Sequence, residues 1–291
     1  MGARVIWLLL LPLAILALWA ASALAERRRR PMDDTARADA PGQFARLASG
    51  GTHYRWDGPT RGPVAVCIHG LTTGSQGWDP VAGNLAMMGF RVLRYDLYGR
   101  GLSDRPGGDQ DRAFFLTQLR ELLADQGLRD GLMLVGYSMG GSIAAAFAAE
   151  APEKVDRIIL LAPAGLGHTP DRGAEFCRRV PVLGDWLFRL FGARQVAEAR
   201  FRGYLPAVLS SRRHMLTEDM APEHRIIAQQ GIPVLAVWGE KDAAIPLTAV
   251  GRLAQINPAA WQVELPGATH ALPVTHPGEI HAAVQEFLRE I

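Results

Sequence analysis

Gly136-Tyr137-Ser138-Met139-Gly140 is the stretch that decides the fold of this chain. It follows the apolar run Leu132–Val135 and precedes an alanine-rich run that ends at Ala149. This order predicts a buried strand, a sharp turn and a helix, with the serine hydroxyl presented at the apex of the turn. The flanking glycines fit because side chains there would collide with the neighbouring strand and helix. Since short G-x-S-x-G sequences also occur by chance, the alternative is a small serine in an ordinary strand–helix turn.

The composition is that of a chain with a substantial core. It has 291 residues, 48% of them hydrophobic, enough for one or two domains. Four of the 31 basic residues are Arg27 to Arg30, and the remaining 27 basic residues are outnumbered by 29 acidic residues, so the body of the chain is not basic. We therefore expect no nucleic-acid partner. Of the two cysteines, Cys67 lies in an apolar run and is interpreted as a small buried residue, so we expect no disulfide framework and no cysteine-based metal site.

The N-terminal segment is the second strong signal. Val5–Leu24 is almost wholly apolar and carries no charge, and roughly 20 such residues suffice to cross a bilayer as a helix. Arg27 to Arg30 follow at once and favour the cytoplasmic side. We expect residues 1–25 to form an uncleaved membrane anchor, with the body of the chain near the cytoplasmic face. The alternative is a secretory signal, cleaved at Ala23-Leu24-Ala25 and followed by export.

The rest of the chain alternates between strand-like and helical patterns. Residues 26–42 are charged and resemble a linker, and Phe44–Leu47 and His53–Trp56 could form an opening hairpin. Further strands are predicted at Val64–Ile68, Arg91–Tyr95, Leu132–Val135, Arg157–Leu161, Val234–Val237 and Trp261–Leu265. Helices are predicted at Val81–Met88 (with Asp79 as N-cap), Asp111–Gln126, Gly140–Glu150, Leu247–Ile256 and Glu279–Glu290. This alternation predicts an α/β fold with a mainly parallel sheet flanked by helices.

The alternation stops between Leu166 and Ile232. Helix-like runs and no clear buried strand occur there, so residues 166–232 are interpreted as a helical lid over the carboxyl edge of a core formed by residues 43–165 and 233–291. This segment carries several aromatic residues, Trp186, Phe188, Phe191, Phe201 and Tyr204. They either contact an apolar substrate or pack the lid onto the sheet.

A serine nucleophile needs a base, normally a histidine that a carboxylate orients. Asp242 lies on the loop after the buried run Val234–Val237, whereas the loop after the preceding strand, residues 162–165, has no carboxylate. Glu240 is the rival, with a surface charge paired to Lys241 as its alternative role. Asp242 is therefore the candidate acid.

The candidate base is His270, which lies on the loop after Trp261–Leu265. His276 competes with it, but its place before Pro277 fits the start of the last helix better. The chain order Ser138, Asp242, His270 is that of a serine nucleophile on a strand–turn–helix elbow.

Acyl transfer also requires two backbone N–H groups that face the developing oxyanion. One is expected from Met139, at the start of the helix after the nucleophile, where the helix dipole adds to it. The other is expected from Leu71, on the loop His69–Gly74 after the strand Val64–Ile68. His69 is interpreted as a structural histidine that shapes this loop.

These motifs resemble the signature set of the α/β-hydrolase superfamily. The resemblance runs from Phe44 to the C-terminus and includes His69-Gly70, the turn Asp96–Asp104, the elbow, Asp242 and His270. It implies the α/β-hydrolase fold, with Asp96 in a structural role. Ser138 argues against haloalkane dehalogenases and epoxide hydrolases, which place an aspartate at the elbow.

The resemblance implies a serine esterase or lipase without a cofactor. A small ester or lipid substrate, such as a monoacylglycerol, would suit both the aromatic residues and the membrane segment. The alternatives are a hydrolase of C–C or amide bonds with the same triad, a haloperoxidase-like enzyme, and a membrane-tethered interaction protein without activity.

Overall fold

The computed structural model describes residues 2–169, 171–192 and 196–291, and these residues form an eight-stranded sheet. The strands are β1 (Gln43–Leu47), β2 (Gly50–Asp57), β3 (Val64–Ile68), β4 (Arg91–Tyr95), β5 (Leu132–Tyr137), β6 (Val155–Leu161), β7 (Val234–Gly239) and β8 (Trp261–Leu265). Their order across the sheet is β1-β2-β4-β3-β5-β6-β7-β8. The predicted hairpin is confirmed, because β1 and β2 pair antiparallel. From β4 through β8 all neighbours are parallel, which confirms the mainly parallel sheet.

Helices flank this sheet, and the strands β3, β5 and β7 carry no charged residue, as expected for strands covered on both faces. The helices are α1 (Gly2–Arg27), α2 (Asp34–Arg37), α3 (Asp79–Met87), α4 (Arg112–Asp125), α5 (Met139–Glu150), α6 (Arg172–Arg179), α7 (Leu183–Phe191), α8 (Tyr204–Arg213), α9 (Ala221–Gln229), α10 (Thr248–Ile256), α11 (Leu272–Thr275) and α12 (Pro277–Glu290). The five helices predicted in the core are present, with ends shifted by at most two residues.

The start of α3 differs from the prediction. Asp79 was expected as its N-cap, but Trp78 takes that position and Asp79 is the first helical residue. The physical reason is that a 3-10 turn, Ser75–Trp78, runs directly into α3 and leaves no extended residue that could act as a side-chain cap. The Asp79 carboxylate instead pairs with Arg94 on β4.

The segment between β6 and β7 contributes α6, α7, α8 and α9, and its described residues include no strand of the sheet. Its aromatic side chains differ in exposure. Phe188, Phe201 and Tyr204 are buried, Trp186 is partly buried and Phe191 is exposed. Three of the five aromatic side chains are therefore part of the protein interior.

The N-terminal segment folds as one long helix, α1, over the predicted apolar run. Among the described residues it is the one helix long and apolar enough to cross a membrane, with a mean hydropathy of 1.5 over Leu10–Arg27. Several of its large apolar side chains are exposed, including Leu11, Leu13 and Trp19.

Residues 26–42, expected as a linker, contact the body of the protein. The Arg29 guanidinium donates to the carbonyl oxygens of Ala199 and of Arg189, the latter at 2.8 Å. Farther along, Arg37 lies in the short helix α2 and pairs with Asp104 at 2.6 Å. The arginine side chains of this segment therefore hold it against the body of the protein.

Candidate active site

The turn that presents Ser138 is tightly packed and strained. Ser138 joins β5 to α5 with φ 53° and ψ −118°, a conformation that an L-residue adopts only when its surroundings enforce it. A Cβ at Gly136 would lie 2.5 Å from the carbonyl oxygen of Gly140, and one at Gly140 would collide with the carbonyls of Ile68 and His69. Both glycines are therefore required for the elbow, as expected from the sequence.

Ser138, His270 and Asp242 form a continuous chain of hydrogen bonds. The distance from Ser138 Oγ to His270 Nε2 is 3.0 Å, and from His270 Nδ1 to Asp242 Oδ2 it is 2.7 Å. The other carboxylate oxygen of Asp242 accepts the backbone amides of Ala244 and Ile245, at 2.7 and 2.9 Å. Because an ionised carboxylate only accepts, Nδ1 carries the ring proton and Nε2 is free to accept from the serine hydroxyl.

The Asp242 carboxylate is suited to remain ionised. Its side chain is only 2% exposed, and burial alone would raise its pKa. The hydrogen bonds from His270 and from the amides of Ile245 and Ala244 outweigh burial and hold the pKa below its ordinary value.

The two rival residues lie elsewhere. Glu240 is exposed and accepts the backbone amide of Gly267 at 2.7 Å. His276 is the N-cap of α12, and its Nδ1 lies 2.8 Å from Thr275 Oγ1. Neither side chain hydrogen-bonds to Ser138 or His270.

The two candidate oxyanion donors flank the serine. Met139 is the first residue of α5, and Leu71 shares a cavity with Ser138 and His270. Within the described residues, neither backbone amide donates to another protein group. The absence of a protein acceptor is what an oxyanion hole requires of both N–H groups.

His69 shapes the loop that carries Leu71. The amide of Leu97 donates to His69 Nε2 at 2.9 Å, so the ring proton lies on Nδ1, which donates to the carbonyl oxygen of Gly70 at 2.8 Å. Burial lowers the pKa of His69 to about 4, so the ring is neutral near pH 7. This geometry agrees with the structural role expected from the sequence.

Two further residues, which carry no catalytic signal in the sequence, also hold this site together. Arg100 is buried, and it donates through Nε to the carbonyl oxygen of Leu71 (3.0 Å) and through Nη2 to Ser211 Oγ on α8 (2.7 Å). Tyr137 donates its hydroxyl to the carbonyl oxygen of His270 at 2.7 Å. The position of Arg100 within the motif Asp96–Asp104 was the one sequence signal that could have pointed to its role. No sequence pattern indicated the contact between Tyr137 and His270.

A cavity of about 520 Å³ opens onto this site. Ser138, His270, Leu71 and Tyr137 line it, and residues between β6 and β7 form much of its wall. None of the five aromatic residues of the 166–232 segment lines this cavity, and three of them, Phe188, Phe201 and Tyr204, are buried elsewhere. The wall instead carries several charged side chains.

Comparison with known proteins supports the fold seen in the structure. Residues 63–185 match a sequence family described as "alpha/beta hydrolase fold". An uncharacterized protein of Mycobacterium tuberculosis is 29% identical over 223 residues, which cover 64% of this chain and 63% of that protein. The chain thus aligns with less than two thirds of the length of that relative.

Two further relatives are named for hydrolysis of different substrates. Lipase 1 of Psychrobacter immobilis is 27% identical, over 77% of this chain and 76% of the lipase. A 2-hydroxy-6-oxononadienedioate/2-hydroxy-6-oxononatrienedioate hydrolase of Klebsiella pneumoniae is 28% identical, over 65% of this chain and 74% of that enzyme.

Solved structures share the fold. An enol-lactonase from Burkholderia xenovorans superposes with a TM-score of 0.70 at 24% identity, over 85% of this chain and all of that one. A membrane phospholipase A described as a bacterial virulence factor superposes with a TM-score of 0.69 at 23% identity, over 100% of this chain and 99% of the other. Together with the sheet order and the family match over residues 63–185, these likenesses show that the chain has the α/β-hydrolase fold.

Proposed function

We propose that this chain is a serine hydrolase of carboxylic esters that works through an acyl-enzyme intermediate. The observation that supports the proposal most strongly is the hydrogen-bonded series Ser138, His270 and Asp242 beside a cavity. A hydroxyl within reach of a neutral imidazole nitrogen, itself oriented by a carboxylate, is the arrangement that activates a serine.

In the proposed reaction, His270 Nε2 takes the hydroxyl proton of Ser138 as Oγ attacks the ester carbonyl carbon. The amides of Leu71 and Met139 bind the resulting oxyanion, and Asp242 stabilises the imidazolium. When the tetrahedral intermediate collapses, the C–O bond to the alcohol breaks and the alcohol leaves with the proton from Nε2. Water then attacks the acyl-enzyme by the same steps, which releases the acid and restores Ser138.

The proposed substrates are esters with an apolar or lipid-like part. The lipase relative and the exposed apolar side chains of α1 support this class, whereas the aromatic residues of the 166–232 segment do not. We further propose that residues 166–232 act as the lid of a core formed by residues 43–165 and 233–291.

We also propose that residues 1–25 anchor the protein in a membrane, with the catalytic body on the cytoplasmic side. The length and hydropathy of α1 and the arginines that follow it support this placement. Cleavage as a secretory signal, followed by export, is the alternative to be tested.

A C–C bond hydrolase is the second candidate, because the Klebsiella relative is named for cleavage of a dienoic ketone. The test compares 4-nitrophenyl esters of increasing acyl length with a 2-hydroxy-6-oxo-dienoate, using the full chain in nonionic detergent. We expect ester hydrolysis with the higher kcat/KM, reduced by roughly 10³-fold or more in Ser138→Ala. A higher kcat/KM on the dienoic ketone would favour the second candidate.

A further inference from the structure

Arg212 lies in the last turn of α8 and lines the same cavity as Ser138 and His270. An arginine is always protonated in proteins and presents five N–H donors. The wall of the catalytic cavity therefore carries a permanent positive charge at this position.

Unlike its neighbours, this guanidinium has no partner in the described part of the chain. Its Nε is buried without a hydrogen bond, and Arg212 forms no ion pair with any residue that the structure describes. The other arginines of the cavity wall are paired, Arg178 with Glu175 at 2.6 Å and Arg252 with Asp219 at 2.7 Å. A charged group left unpaired in a partly buried place is costly, so it marks a position where a ligand completes the structure.

The acidic residues of the wall are mostly engaged with other groups. Glu175 pairs with Arg178 and Arg179, and Glu218 pairs with Arg112. Asp171 forms no ion pair with a described residue, although it caps α6 by accepting the amide of Ala174 at 2.7 Å. Its charge still attracts Arg212 from a distance: burial lowers the pKa of Arg212, and Asp171 and Glu175 oppose that shift. Asp171 is thus the internal competitor for this guanidinium.

A purely structural role for Arg212 would be interaction with the carboxyl end of α8. Its neighbour Arg213 has a structural role of another kind, because it pairs with Asp185 on α7 and donates to the carbonyl oxygens of Cys177 and Arg178 at the end of α6. Arg212 makes neither kind of contact with a described residue.

We propose that Arg212 binds an anionic group of the substrate, a carboxylate or a phosphate, and thereby selects anionic esters. This inference rests on the proposed ester hydrolysis and narrows its substrate class. The planar fork of a guanidinium fits either oxyacid with two parallel hydrogen bonds. The substrate would then combine a scissile ester at Ser138 with a negative charge at the wall of the cavity.

The test measures kcat/KM of the full chain in detergent for three matched esters. They are 4-nitrophenyl glutarate, its neutral amide analogue 4-nitrophenyl 4-carbamoylbutanoate, and 4-nitrophenyl 4-phosphonobutanoate. We expect the wild type to prefer at least one anionic ester, and the better of the two identifies carboxylate or phosphate as the group. A wild type that shows no such preference would overturn the inference without any variant.

Variants then assign the preference to Arg212. Arg212→Gln should lower the ratio of anionic to neutral kcat/KM roughly 10- to 100-fold, the range for lost hydrogen bonds to a charged group. Arg212→Lys should keep part of the ratio, and Asp171→Asn, which still caps α6, should raise it. Arg252→Gln removes a paired wall arginine and serves as the control.

The outcomes separate the two proposals. An unchanged ratio in Arg212→Gln, or an equal loss in Arg252→Gln, would overturn the role of Arg212 while ester hydrolysis stands. Failure to hydrolyse any of the three esters would overturn the proposed function, and the substrate assignment with it.

Discussion

The carboxylate of Asp242 does two things that an amide could not do equally well. It accepts the Nδ1 proton of His270, and it accepts two backbone amides of its own loop. We expect Asp242→Asn to lower kcat roughly 10³- to 10⁴-fold with little change in KM, because the imidazole loses its tautomer and its counter-charge. Steady-state kinetics on a 4-nitrophenyl ester measures this.

The matched control is Glu240→Gln, on the same loop. Glu240 is exposed and only accepts an amide, so its replacement should leave kcat within a factor of about two, as for most surface changes. Equal losses in the two variants would contradict the assignment of the acid.

Asp96 is expected to link stability to pH. Burial alone would raise its pKa, but the hydrogen bond from His53, the charges of His69 and His53, and the amide of Leu102 lower it to about 2. Between the unfolded value of 3.8 and the folded value of about 2, the unfolded chain binds a proton that the native chain does not. Stability from this group is therefore complete above about pH 4 and is lost as the pH falls toward 2.

The expected loss from Asp96 is about 2 kcal/mol of unfolding free energy. Urea unfolding of the wild type at several pH values between 2 and 5 measures it. Asp96→Asn should be less stable near pH 7 and lack this part of the acid dependence. An identical acid dependence in the variant would assign the effect to other carboxylates.

At the scale of elements, the β5–α5 elbow depends on backbone contacts. A Cβ at Gly140 would collide with the carbonyls of Ile68 and His69 on the neighbouring strand and loop. We expect Gly140→Ala to destabilise the fold by about 3 kcal/mol or more, because neither backbone can move without disturbing the sheet. Thermal and urea unfolding test this.

Gly83 provides the control for that substitution. It lies inside α3, and nothing lies within 4 Å of a Cβ added there. Gly83→Ala should stabilise the protein by up to about 1 kcal/mol through helix propensity. If both variants behaved alike, the elbow glycines would not be required by packing.

The elements themselves were predictable from the sequence, because their signals are local. Apolar runs such as Val64–Ile68 and the helical spacing of Asp111–Gln126 marked strands and helices to within a few residues. The order Ser138, Asp242, His270 also predicted which loops meet. The boundary of α3 was missed because the 3-10 turn before it depends on tertiary contacts.

Contacts between distant residues could not be predicted in this way. Arg100 reaches Ser211, Tyr137 reaches the carbonyl of His270, and Arg29 reaches Arg189. No local pattern encodes these pairs, because each depends on how the loops and the 166–232 segment pack against one another. The unpaired state of Arg212 was invisible for the same reason.

At the scale of the whole molecule, the proposal to test is that α1 anchors the protein in a membrane. We expect the full chain to sediment with membranes, to resist alkaline carbonate extraction, and to retain residues 1–25 when its intact mass is measured. The reason is that α1 is long and apolar enough to span a bilayer. A soluble product that begins after Ala25 would show that the segment is a cleaved signal.

Reaction of the detergent-solubilised full chain with a fluorophosphonate tests most directly whether Ser138 is an activated nucleophile. Intact mass and peptide mapping should show one phosphonyl group per chain, attached to Ser138. Labelling should be absent in Ser138→Ala and strongly slowed in His270→Gln. A wild type that stays unlabelled, or that is labelled equally after loss of the Ser138 hydroxyl, would contradict the proposed mechanism.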